Sequence, residues 1–321
     1  MRALVTGGAG FIGSHLVDLL LENEWDVTVL DNLSTGNMDN VNIKAKFIDG
    51  FVTDFIVDEI IQSVDVVFHL AAVVGYKKVM EDPLQALRMN FANEVNIFDI
   101  CSICKKPVVY TSSSEAYGTL TGYPIKETDS IQYEIPIPPS QGYSLSKLTG
   151  EWIANYAHVV KGLNVGIARL FNTVGPRQSP KYGMVLPRMV IAALKNKPIQ
   201  VYGNGSQTRS FCHVKDTVRG LSLLMNKVFV NGKYGDLNGV FNIGSDWDIS
   251  IKDLAKMVIR MTGSKAGIEY VLVENVYGLG FVDTPERRPA IEKAKEVLGW
   301  VPEISFEQTV QDVIDYWRKR I

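Results

Sequence analysis

The chain has 321 residues, 46% of them hydrophobic and 21% charged, with a formal net charge of −2. That length supports one large domain or two intimate ones with a sizeable core, and the balanced charge excludes the strongly basic character that nucleic acid or an anionic membrane selects. No apolar run approaches the ~18 residues of a membrane span, and three cysteines, an odd number, imply no disulfide framework.

RALVT (2–6) reads as a buried strand, GGAGFIG as a glycine-rich turn, and Ser14 to Asn23 as a helix. The glycines and the early histidine fit a folded strand-turn-helix better than a secretory signal, so a cytoplasmic protein is expected. Further strands are predicted at VTVLD (27–31), AKFI (45–48), VDVVFHL (64–70), PVVYTS (107–112) and NVGIARLF (164–171). A long helix from Leu84 to Cys104 carries Cys101 and Cys104. With no second pair and no histidine cluster, these are expected to be buried helix cysteines, and no metal site is expected. Short apolar strands alternating with helices predict an α/β fold with a doubly wound parallel sheet, its ligands gathered at the carboxyl ends of the strands.

Beyond Phe171 the texture changes. NTVGPRQSPKYG is a loop rich in Gly and Pro, MVLPRMVIAALKN an amphipathic helix, and QVYGNGSQTRSF a segment of turns. VKDTVRGLSLLM and VFNIGS predict one more helix and strand returning to the first sheet. The rest is expected to be helical, broken by VENVYGLGFVDTPERRP. No flexible linker intervenes, so 1–170 with 211–245 is expected to interleave with a smaller C-terminal α/β part, 171–210 and 246–321.

The motifs carry the chemistry. Gly7, Gly10 and Gly13, with Phe11 and Ile12 between the last two, lead from a strand into a helix. This spacing allows a tight turn and brings a pyrophosphate onto helix N-terminal amides. Asp31 ends the second strand, followed by Asn32 and Ser34, where a carboxylate binds ribose hydroxyls. It repels a 2′-phosphate, and no arginine follows to offset it, so NAD is expected over NADP. Tyr143 and Lys147 lie four apart on one helical face. A cation beside a phenol stabilises the phenolate, making Tyr143 a candidate acid/base for a hydroxyl becoming a ketone. Alone, that spacing occurs by chance in many helices. His69, inside an apolar strand end, is expected to be a satisfied core histidine.

GGAGFIG, DNLSTG, HLAA, TSSSEAYG, the Tyr143–Lys147 pair, RLFNTVGPR and GSQTRSF together resemble the extended short-chain dehydrogenase/reductase family, the NAD-dependent nucleotide-sugar epimerases, dehydratases and decarboxylases. The match covers nearly the whole chain. It implies a Rossmann-type domain for NAD, a smaller C-terminal domain for the nucleotide sugar, and a homodimer formed through helices near 84–104 and 142–160. It adds Leu70 and Ala71 to the cofactor contacts, and it makes Ser113, Tyr143 and Lys147 the working triad. Ser113 would bind the sugar's 4-hydroxyl, although TSSS offers four adjacent hydroxyls and a strand-end serine also satisfies turns. Asn172, Arg177, Tyr202 and Arg209 match nucleotide or diphosphate contacts, and Gly75, Tyr76 and Lys77 begin the family's substrate loop. One position departs from the pattern: Phe51 stands where the family often has an acidic adenine contact, which would pass to Asp49 or to backbone.

Within that family the neighbours of the serine decide the reaction. Ser114 and Glu115 replace the Asp-Glu pair of 4,6-dehydratases, and UDP-glucuronate decarboxylases have Ser-Glu here. DTPERRP (283–289) places Arg287 and Arg288 before Pro289, and VYGLGF before it resembles the decarboxylases too. The expectation is decarboxylation of UDP-glucuronate, Arg287 meeting the carboxylate and Glu115 assisting protonation. The alternatives are a UDP-hexose or UDP-uronate 4-epimerase, in which these arginines bind diphosphate or face solvent, and a non-catalytic NAD-sensing protein.

Overall fold

The computed structural model describes residues 1–120, 124–181, 183–230, 239–277 and 286–321. Its first half is β1 (Arg2–Thr6), α1 (Phe11–Glu22), β2 (Asp26–Asp31), β3 (Lys46–Asp49), α2 (Ile56–Ser63), β4 (Val66–His69), α3 (Tyr76–Glu81), α4 (Pro83–Cys104), β5 (Val108–Ser113), α5 (Gly142–Lys161) and β6 (Val165–Leu170). There follow β7 (Thr173–Val174), α6 (Val185–Leu194), β8 (Ile199–Tyr202), β9 (Thr208–Ser210), β10 (Cys212–His213), α7 (Val214–Val230), β11 (Val240–Ile243), β12 (Asp248–Ser250), α8 (Ile251–Thr262), β13 (Ile268–Val271), α9 (Glu274–Tyr277) and α10 (Phe306–Arg318).

The main sheet has seven strands in the order β11-β6-β5-β4-β1-β2-β3, all of them parallel. β1, β4 and most of β5 are buried on both faces, which is why they read as continuous apolar runs rather than alternating ones. One apolar cluster (Leu16, Leu20, Phe68, Leu221, Leu224, Trp300) covers one face under α1 and α7. A second (Ile60, Ile97, Phe98, Tyr110, Ile153, Ala157) covers the other under α2, α4 and α5. A third (Leu186, Val190, Leu254, Val258, Val310, Ile314) lies among α6, α8 and α10. The strands β12 and β13, within the stretch expected to be helical, pair with β9 and β8 instead.

Strand order reverses between β1 and β4, and the crevice there opens at the carboxyl ends. Thr6, His69 and Tyr110 stand level in neighbouring strands, while β5 runs on to Ser113 opposite Leu170. Ser113 is therefore carried above the floor of the crevice. Local sequence fixes the helices that flank it. Asp82 caps α4 by accepting from Gln85 N at 2.9 Å, with Pro83 in the first turn. Gly162, at φ 70°, ends α5 in a left-handed conformation that suits glycine.

Candidate active site

A single cleft of about 1420 Å³ runs along the carboxyl ends of the strands to the third apolar cluster. It exceeds the ~300–1,000 Å³ of an ordinary small-molecule site, leaving room for two ligands side by side. At one end lies the glycine turn. Gly7 has φ 72°, and a Cβ there would press on the backbone of Ala71 at 2.9 Å; a Cβ on Gly13 would overlap the Gly7 carbonyl. The first-turn amides of α1 are left without a capping side chain, and that turn contains no acid, so they are available to an anion. At the rim, Asp31 accepts from Ala9 N at 3.0 Å and from Leu33 N at 2.8 Å. Burial raises its carboxyl above the usual range, and these hydrogen bonds oppose the rise.

The middle of the cleft is built by β5 and α5. Of the four adjacent hydroxyls, Thr111 is turned to the His69 carbonyl at 3.1 Å and Ser112 to the Glu151 carboxylate at 2.5 Å. Ser113 is the hydroxyl close enough to the Tyr143 phenol to pull its proton affinity down, and it also accepts from Glu115 N at 3.1 Å. The turn-satisfying role and the phenol contact thus coexist. Burial raises the half-buried Tyr143 phenol well above its ordinary value, and the Glu115 carboxylate raises it further while Ser113 opposes. Glu115 is half exposed, and its Oε1 lies 2.5 Å from Arg287 Nη1. Arg287 is buried and also donates to the Gly118 carbonyl at 2.9 Å. It is held there because Ile125 N donates to the Arg288 carbonyl and Ala290 N to the Ile125 carbonyl, at 2.9 and 2.8 Å. Asn242, on the edge strand β11, clamps the same junction by donating to the carbonyls of Ile125 and Ala290.

Lys147 departs from the expected arrangement. Its ammonium, buried beneath the phenol's helix, donates to Tyr110 Oη at 3.3 Å and lies 3.6 Å from Glu94 Oε1. Burial lowers it below the ordinary lysine value, and the Glu94 charge opposes that. The spacing of Tyr143 and Lys147 places both on one helical face, but the ammonium's nearest partners come from β5 and α4.

With this geometry in view, comparison with known proteins is decisive for the family. A family model described as "NAD dependent epimerase/dehydratase family" matches residues 3–244. The chain belongs to this family. It is 35% identical, over 99% of its length and 98% of the relative's, to a UDP-N-acetyl-alpha-D-glucosaminuronate decarboxylase of Bacillus cytotoxicus. It is 34% identical to UDP-glucuronic acid decarboxylase 1 of Arabidopsis thaliana, over the whole of this chain and 71% of that one. Among solved structures, the UDP-glucose 4-epimerase of Thermotoga maritima with UDP-glucose matches with a TM-score of 0.87 and 30% identity, over 99% of both chains.

The cofactor of this NAD-dependent epimerase/dehydratase is therefore NAD, and the residues fit it. The cradle at Gly7 and Gly13 is one that a Cβ would fill, the α1 amides await a pyrophosphate, and Asp31 stands where a ribose would lie. Gly10, Phe11, Ile12, Asn32, Ser34, Leu70 and Ala71 line the same stretch of cleft. Phe51 lines it too, half exposed, but its N–H is already donated to Asp54 at 2.7 Å. Asp49 is not among the described lining residues, whereas the backbone at Gly50 to Val52 is.

Asn172, Arg177, Tyr202 and Arg209 all line the cleft. Asn172 donates to the Ser210 carbonyl at 3.2 Å and Arg209 to the Thr208 carbonyl at 2.7 Å. Arg177 pairs with Asp18 of α1 at 2.7 Å, and the Arg188 guanidinium stacks 4.2 Å over the Tyr202 ring. Arg288 instead pairs with Asp248 at 3.5 Å and is not among the described lining residues. Gly75 lines the cleft, but the side chains of Tyr76 and Lys77 lie outside the described residues, as do Gly278–Phe281 of VYGLGF and Asp283–Pro285 of DTPERRP. His69 is a core residue but not the fully satisfied one expected: Nδ1 bonds to Thr6 Oγ1 at 2.8 Å, Nε2 has no hydrogen-bond partner among the described residues, and burial pushes its imidazole down to about 3. Cys101 is buried in α4 and Cys104 half-buried.

Sequence reasoning missed the layer beneath the site. Asn90 holds the loop after β4 through Val73 N at 2.7 Å and reaches Ser146 of α5 at 3.1 Å. Glu151 forks onto Arg169 at 2.8 and 2.6 Å. Asn90 and Glu94 share the helical stripe of Ile97 and Cys101. Polar residues in an apolar register were the available signal.

Proposed function

We propose that this enzyme oxidises the 4-hydroxyl of a UDP-uronate, releases carbon dioxide and reduces the ketone again, with UDP-glucuronate as the substrate. The ion pair between Glu115 and Arg287 carries the reading, since it sets a buried guanidinium beside Ser113 and Tyr143 at the open cleft. A substrate carboxylate would replace Glu115 as the partner of Arg287. Ser113 would hold the 4-hydroxyl, and Tyr143 would take its proton. NAD, when bound, accepts a hydride and returns it, so no redox equivalent is consumed overall. Oxidation leaves the carboxyl β to a ketone, and such acids lose carbon dioxide readily. Glu115, released from Arg287 and half exposed, would take a proton from solvent and deliver it to the resulting enolate. Asn172, Arg177, Tyr202 and Arg209 would hold the nucleotide diphosphate, with the cluster among α6, α8 and α10 as the base of a substrate domain. The names of the Bacillus and Arabidopsis relatives support decarboxylation.

The test is incubation with UDP-glucuronate and, in parallel, its 2-acetamido analogue, with products read by NMR and mass spectrometry. Carbon dioxide with a UDP-pentose is expected, and the analogue reports the 2-substituent that the site accepts. The likeness to a UDP-glucose 4-epimerase supports a second reading; recovery of UDP-galacturonate alone would establish it and sink the first.

We propose further that two copies pair through α4 and α5. Phe91 on α4 and Trp152, Tyr156, Val159 and Val160 on one stripe of α5 are exposed. A dimer by sedimentation, split by Trp152→Glu, is the expected result. The cysteines, none in a disulfide, support a reducing cytoplasmic setting.

A further inference from the structure

Directly below the site, three buried side chains from three elements meet. Glu94 of α4 is fully buried and Lys147 of α5 nearly so. Tyr110 of β5 stands between them. The ammonium donates to Tyr110 Oη at 3.3 Å, and that hydroxyl donates onward to Glu94 Oε1 at 2.7 Å. The ammonium also sits 4.7 Å over the Tyr110 ring. The second oxygen of Glu94 accepts no hydrogen bond among the described residues; burial raises the Glu94 carboxyl, and Lys147 and Tyr110 oppose that rise. We propose that Glu94 is a positioning residue for Lys147, the built-in counter-charge that keeps the ammonium charged and seated at the floor of the cofactor cleft.

The surrounding charges leave that duty to Glu94. Tyr143 and Glu151 face Lys147 from its own helix, but Glu151 is already forked onto Arg169 of β6. His69 of β4, on the other side, is held neutral by burial. An ammonium taken out of water with no counter-charge costs several kcal/mol or sheds its proton. A neutral Lys147 would lose a strong bond to the cofactor ribose and its pull on the phenol. Glu94 touches neither, and acts through Lys147.

Two measurements test this, and neither uses a sugar substrate. They rest on the reading of Lys147 as a cofactor-holding residue, and failure of the decarboxylase reading would leave both intact. The first is NADH affinity against pH, followed by NADH fluorescence. Glu94→Gln keeps an acceptor for Tyr110 and removes only the charge. Its alkaline loss of affinity is expected to begin about one pH unit or more below that of the wild type, a tenfold change in the charged fraction. Glu94→Asp, still charged, should keep the wild-type limb. A role confined to tying α4 to β5 would leave the Glu94→Gln limb on the wild-type curve, and that overlay overturns the proposal. The second is a melting-temperature cycle with Lys147→Met. The double variant Lys147→Met, Glu94→Gln should melt above Lys147→Met alone, because it no longer buries an unpaired carboxylate. Simple additivity of the two losses overturns the proposal equally.

Discussion

At Asp31 the carboxylate oxygens accept backbone N–H groups from Ala9 and Leu33, with the Gly10 N–H also acting on them, and the group still lines the cleft where a ribose would lie. Asp31→Ala should therefore weaken NAD binding by about tenfold or more, roughly the loss of one charge-assisted hydrogen bond of 1.5–3 kcal/mol. It should also narrow the gap between NAD and NADP, since the repulsion of a 2′-phosphate goes with it. Parallel titrations with both dinucleotides check this. At Glu115 the carboxylate raises the Tyr143 phenol and neutralises Arg287. Glu115→Gln should lower kcat on UDP-glucuronate by about 10²-fold or more, and should lower the melting temperature as well, because the buried Arg287 loses its carboxylate partner. Both residues were readable from motif position. What the motif did not contain was the partner of each: the turn amides at Asp31, and the Glu115–Arg287 contact across 172 residues of chain, which only the folded Ile125–Pro289 bridge brings together.

At the level of elements, the contact between α4, α5 and β5 decides whether Lys147 is presented at all. A Cβ on Gly150 would strike the Tyr110 hydroxyl and come within 3.0 Å of Glu94 Cγ. Gly150→Ala, although a better helix former, should therefore destabilise the fold by about 1–3 kcal/mol of overpacking and weaken NADH binding. Melting and fluorescence titration on the same sample check both. The strands and the long helices were legible because their apolar patterns are strong, with ends within a few residues of those found. The short strands β12 and β13 were not, since each is only half-buried and gains its place from a partner strand far away in sequence. Glu94 was less deeply hidden: it falls in the stripe of Ile97 and Cys101, although beside Asn93 a glutamate is easily taken for surface.

For the molecule as a whole, pH acts through buried histidines. Burial pushes His69 down to about 3 and His15 to about 4, while both return to ~6.5 on unfolding. The unfolded chain thus binds more protons below ~6.5, so stability is full above that pH and falls as pH drops toward the folded values. His69 alone should cost about 2–3 kcal/mol by about pH 4.5. Thermal melts at neutral and acid pH should show the loss, and His69→Asn should flatten part of it. The Ile125–Pro289 bridge has a consequence of another kind, in the order of synthesis. Arg287 reaches the Gly118 carbonyl from 169 residues downstream, and the edge strand β11 joins β6 from beyond α7. A growing chain on the ribosome holds its glycine cradle, Ser113, Tyr143 and Lys147 long before it holds the arginine that faces them. The reacting pocket is closed only when the segment carrying Arg287 emerges, so a chain released before it would carry the redox residues without the guanidinium that completes them.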